Sequence, residues 1–84
     1  MKIRKRNGIE VEFDFAKIEN AIKKANESVA VSERLPEEII HVIAKGIEAQ
    51  CEASGGVPTV ESVQDMVEIE LMTHKAYRLA KNYT

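Results

Sequence analysis

The chain has 84 residues, enough for one small domain with a thin core and too few for two. Hydrophobic residues make up 44% and charged residues 31% of it, which excludes a disordered or collagen-like chain, and a single cysteine, Cys51, excludes an internal disulfide scaffold. The net charge of −2 hides a polarity, because residues 1–24 hold seven Lys and Arg against four acids and residues 25–84 five against ten; a bound anion is expected at the N-terminal end.

Ile3 and Lys5 on one side of Asn7-Gly8, and Val11 and Phe13 on the other, read as a short β-hairpin over Lys2 to Asp14, since Asn-Gly tolerates the positive φ of a tight turn. From Asp14 the period becomes helical. Ile18, Ala21, Ile22 and Ala25 fall on one face, Asp14 can cap the helix, and Phe13 is placed to pack on Ile18 as a staple. A polar stretch, residues 26–34, follows. Pro36 with Glu37 and Glu38 starts a second helix, whose buried stripe is expected at Ile39, Val42, Ile43 and Ile47. Gly46 inside that stripe costs about 1 kcal/mol against alanine and suggests the close approach of another backbone. The helix is expected to stop near Ser54-Gly55-Gly56.

Thr59 caps a third helix with Val63, Met66, Val67 and Leu71 on one face and Glu61, Glu68 and Glu70 off it. Ala76, Leu79, Ala80 and Tyr83 repeat the helical spacing, yet no stop signal precedes Thr84. The last helix reads as cut, and residues 1–84 as one domain belonging to a longer polypeptide. The fold class expected is α+β, a small N-terminal β-hairpin or three-stranded sheet packed on a bundle of about four helices. No apolar run approaches the roughly 20 residues of a membrane span, and no leader is visible, so a cytoplasmic protein without membrane partners is expected.

Arg4, Lys5 and Arg6 precede the turn and Lys17 lies on the first turn of the next helix, so that folding the hairpin back can gather cations suited to phosphates around one small volume. The plainer reading is a solvated basic strand beside exposed helix charges. Nucleic acid is not expected as a partner, since the rest of the chain is acidic and offers no aromatic platform. No GxxxxGK[ST] loop is present, and Cys51, His41 and His74 make no zinc ligand set. The histidines read as helix-surface residues and Cys51 as a small packed one. Asp14 has two compatible uses, a helix cap and an acceptor for a base amino group. Gln64 and Asp65 lie near the start of the third helix, which favours anions.

The opening IRKRNGIEVEFDFAKIENAIKKA resembles the ATP-cone domain, whose pattern is a hydrophobic residue, Lys-Arg-Asp-Gly, a short gap, Phe-Asp, then Lys-Ile and a helix with alanines. VPTVESVQDMVEIELM and YRLAKNY resemble the family's second half, so the resemblance covers nearly the whole chain. The nearest likeness is to the N-terminal cone of a ribonucleoside-triphosphate reductase of the anaerobic kind. A nucleotide-regulated transcriptional repressor, in which a zinc ribbon precedes the cone, and a degenerate cone acting only in protein interaction are the alternatives.

The resemblance implies an allosteric module that binds ATP or dATP, with Mg2+ on the phosphates, and sets the activity of a catalytic domain of the same chain without an active site of its own. Other cones or subunits in an oligomer would be its further partners. Lys5 and Arg6 match the motif's basic pair and would meet phosphates, and Gly8 matches the turn glycine. Asp14 would read the adenine amino group, Lys17 would reach phosphates or ribose, and Ile18 would line the base pocket. Val63 and Gln64 would meet the sugar, and Ile3 and Val11 complete the expected nucleotide site. Asn7 departs from the motif's aspartate, keeping the turn chemistry and removing a charge.

Overall fold

In a computed structural model, described here for residues 1–83, a two-stranded antiparallel hairpin precedes four helices: β1 (Lys2–Arg4), β2 (Glu10–Glu12), α1 (Phe15–Glu27), α2 (Glu37–Ala53), α3 (Val60–Thr73) and α4 (Tyr77–Tyr83), with a 3-10 turn at Val31–Glu33. The α+β class holds. The alternative of a three-stranded sheet is reduced to one parallel bridge, Arg4 to Thr59, in which the Arg4 amide donates to the Pro58 carbonyl at 2.8 Å. The expected continuation of the last helix at Thr84 lies outside the described residues.

Ile3 pairs with Val11 and Lys2 with Glu12, so odd-numbered strand residues share one face and Lys2, Arg4, Glu10 and Glu12 the other. On that second face Lys2 meets Glu12 at 3.2 Å and Arg4 meets Glu10 at 3.1 Å. The turn is not the two-residue form that Asn7-Gly8 suggests. Lys5 donates to the Ile9 carbonyl and Gly8 to the Lys5 carbonyl, and Gly8 has φ +87° while Asn7 stays at negative φ. This is a three-residue loop closed by a left-handed glycine. The Asn7 side chain accepts from the Ile9 amide at 3.1 Å.

Local chemistry sets the helix ends. Asp14 Oδ1 accepts from the Ala16 amide at 3.0 Å. Pro36 occupies the cap position of α2, its carbonyl taking the Ile39 and Ile40 amides, and Gly55 at φ +76° follows the other end. Thr59 and Ser62 form a reciprocal capping box on α3. That helix ends without glycine: Lys75 takes φ +60°, and the Lys75 and Ala76 amides return to Met72 and Leu71.

Each helix packs on two neighbours, α1 on α2 and α4, and α3 on α2 and α4. The core holds Ile22, Ile40, Ile43, Ile47, Cys51, Val63, Val67, Leu71 and Leu79, all nearly or fully buried. Two expectations for α2 fail. Val42 is 61% exposed, and the buried face runs instead through Ile40, Ile43, Ala44, Ile47 and Cys51. Gly46 is exposed, and a Cβ there would meet nothing within 4 Å; no backbone approaches it. The polar stretch after α1 is tied down by buried Asn26, which donates to the Leu35 carbonyl at 2.9 Å and accepts from its amide at 3.0 Å.

Candidate functional site

A cleft of about 250 Å³ opens between the odd-numbered face of the hairpin, the first turns of α1 and α3, and the end of α4. Its walls are mostly apolar, from Ile3, Val11 and Phe13 on the hairpin side, Ile18 and Ala21 on α1, and Val60 and Val63 on α3. Polar groups come from Lys5, Glu12, Asp14, Lys17, Gln64 and Tyr83. An apolar hollow with few placed polar groups is the usual form of a small-molecule site, although such pockets run to roughly 300–1,000 Å³.

Eight of the ten expected site residues line this cleft: Ile3, Lys5, Val11, Asp14, Lys17, Ile18, Val63 and Gln64. Two lie apart. Arg6 is turned away from it, with its side chain 87% exposed and Nε 3.2 Å from Glu61 Oε1. Gly8 forms the loop beyond β1 and contributes no wall. Phe13, Ala21, Val60, Glu12 and Tyr83 belong to the wall but were not among the expected ligands. Ala21 follows Ile18 by three residues and was legible as its helical neighbour; Tyr83 reaches the cleft only because α4 packs on α1.

Electrostatics sort the cations. Lys2, Arg4 and Arg6 each face a carboxylate, whereas Lys5, Lys17 and Lys24 take part in no ion pair among the described residues. Lys5 and Lys17 line the cleft, and Lys24 lines an adjoining groove that shares Ala21, Gln64 and Tyr83 with it. Glu12 is offset by Lys2, whose hydrogen bond and charge, with those of the N-terminal amine, hold its carboxyl below the usual range. Burial, then the Glu68 carboxylate, pushes the Tyr83 phenol up, so it stays a neutral donor near neutral pH. Asp14 spends one oxygen on the Ala16 amide and keeps the other, since a carboxylate has about four acceptor positions.

No group of three or more His, Cys, Asp or Glu among the described residues could hold a metal. His41 and His74 are exposed and Cys51 is buried, its thiol pushed up by burial. His41 Nδ1 meets Glu19, and its ring stands edge-on to Phe15. No helix among the described residues is long and apolar enough to cross a membrane.

The family model described as ATP cone domain matches residues 1–84. Domains of this kind bind ATP or dATP as allosteric effectors and have no catalytic activity of their own. With its whole length matched, and a mostly apolar cleft edged by two lysines at the motif positions, the chain belongs to the ATP-cone domain family.

Proposed function

We propose that the cleft between the hairpin and the helices takes ATP or dATP, and that occupancy sets the overall activity of a ribonucleoside-triphosphate reductase of which this cone is the regulatory domain. The base lies among Ile3, Val11, Ile18 and Val63, with its amino group on the second oxygen of Asp14. The sugar meets Val63 and Gln64, where a 2′-hydroxyl can be sensed. The phosphates leave toward Lys5 and Lys17, and Arg6 joins them on letting go of Glu61. Magnesium travels on the phosphates, the acids of the wall being only Glu12 and Asp14. The reading rests above all on the placement of two cations: among the described residues Lys5 and Lys17 make no ion pair, and both edge the same apolar hollow.

ATP and dATP differ by one hydroxyl. A ligand that binds two states of the cone equally shifts nothing, so the switch requires different contacts for the two nucleotides. Coupling of about 1–3 kcal/mol between the cleft and a surface by which cones associate is ordinary for allostery. The catalytic domain is proposed to follow in the same polypeptide, in the cytoplasm, with other cones as partners.

Calorimetry with ATP, dATP and GTP tests the reading. Adenine nucleotides are expected to bind more tightly than GTP, and Lys5→Ala and Lys17→Ala each to weaken binding at least about tenfold, as loss of a charge-assisted hydrogen bond of about 1.5–3 kcal/mol requires. GTP binding as tight as ATP removes Asp14 from base reading. Light scattering with and without dATP tests the proposed change in association, and indifference of the mass to nucleotide rejects it.

A further inference from the structure

Two more cations make no ion pair among the described residues, Arg34 and Lys75, and they too share a cavity. It measures about 420 Å³ and lies between the 3-10 turn and the junction of α3 with α4. Arg78, His74, Ser32, Glu33 and Tyr77 complete its polar lining. It is separate from the nucleotide cleft. Val63 at one end of α3 lines the cleft and His74 at the other lines this cavity, and eleven residues of helix span about 16 Å.

Arg34 is held in place before any ligand arrives. Its Nε donates to the Val29 carbonyl at 3.1 Å and its Nη2 to the Glu27 carbonyl at 3.0 Å, which fixes the guanidinium and leaves Nη1 for a ligand. Lys75 sits at φ +60°, a left-handed backbone conformation that strains a residue with a side chain. Glycine is the common occupant of this position after a helix. A lysine there keeps an ammonium at the cavity in spite of the strain. Glu33 is the one acid of the wall. Its contact with Arg78 is long, 3.9 Å, with both side chains about half exposed, and such a pair is worth little, so Arg78 can exchange it for a stronger anion.

We propose that this cavity is a second anion site, independent of the nucleotide cleft, which takes a small phosphate group through Arg34, Lys75 and Arg78. Three cations of different reach around one polar hollow match the several acceptor oxygens of a phosphate better than a single carboxylate.

The test is a residue-resolved NMR titration of the chain with inorganic phosphate, ribose 5-phosphate and acetate at fixed ionic strength. Saturable shifts of the amides of residues 32–34 and 74–78 with either phosphate, and none with acetate, are expected. Tighter binding of ribose 5-phosphate assigns the site to a phosphorylated metabolite, and tighter binding of inorganic phosphate to the free ion. Lys75→Gly, which relieves the backbone, and Arg78→Gln are each expected to weaken binding about fivefold or more while the response of the cleft to ATP is unchanged. Shifts that never saturate, equal shifts with acetate, or unaltered affinity in both variants overturn the proposal.

Discussion

Arg6 and Glu61 are 55 positions apart in the chain and meet at 3.2 Å, Nε to Oε1, pinning the tip of the hairpin to the first turn of α3. The pair is exposed, so its contribution to stability is at most about 0.5–1 kcal/mol. It competes with the proposed phosphate role of Arg6. Glu61→Gln is therefore expected to leave the thermal midpoint almost unchanged and to tighten ATP binding about two- to threefold by calorimetry. A loss of affinity instead would mean that Arg6 works from its place beside Glu61.

Asp14 can be divided into its two uses. Asp14→Ser keeps a capping oxygen for the Ala16 amide and removes the second acceptor, so stability should hold and the preference for ATP over GTP should shrink. Asp14→Ala should also cost about 1 kcal/mol, which lowers the midpoint of a domain of this size by roughly 4–8 °C. Thermal melts and calorimetry on the two variants separate the roles.

The Asn26 side chain satisfies both backbone groups of Leu35. Asn26→Ala leaves that amide and carbonyl without their partner and should destabilise the fold by about 2 kcal/mol. Asn26→Asp loses the donor and places a charge in a nearly buried site, and should be no better. Urea midpoints of both variants check this.

Alkaline pH should weaken the fold. Burial raises the Cys51 thiol above its ordinary 9.0, and burial with Glu68 raises the Tyr83 phenol above 10.0. Stability from a group raised on folding is full below its unfolded value and is lost as pH rises through the folded value. Urea midpoints should therefore be level near neutrality and fall above about pH 9, with Tyr83→Phe moderating the fall above about pH 10. A fall identical in Tyr83→Phe would assign the loss to other groups.

What was legible in the sequence was local. Asp14, Thr59 and the Gly55 stop act within a few residues, and the hydrophobic periods of α1 and α3 agree with their buried faces. The stripe of α2 was misplaced by close to one residue, about 100° of helix rotation, because isoleucines occur on too many sides of it; buried Ala44 and Cys51, small enough to be overlooked, mark the true face. The eight cleft residues were reached through the motif positions of the family resemblance. The pairing of Arg6 with Glu61 was not legible because the two are distant in sequence, and Tyr83 and Val60 entered the wall only through the packing of α4 and α3. The Lys75 turn carries no glycine to announce it, and the anchoring of Arg34 depends on carbonyls that only the folded loop presents.

The seven described residues of α4 would be too few to hold a helix by themselves, since isolated helices shorter than about 12–15 residues are marginal in water. Leu79 and Ala80, seated in the core, lend it persistence from outside. Tyr83 therefore rides on a turn that depends on this seating, and the cleft has one borrowed wall: whatever loosens Leu79 will widen its mouth before it melts the bundle.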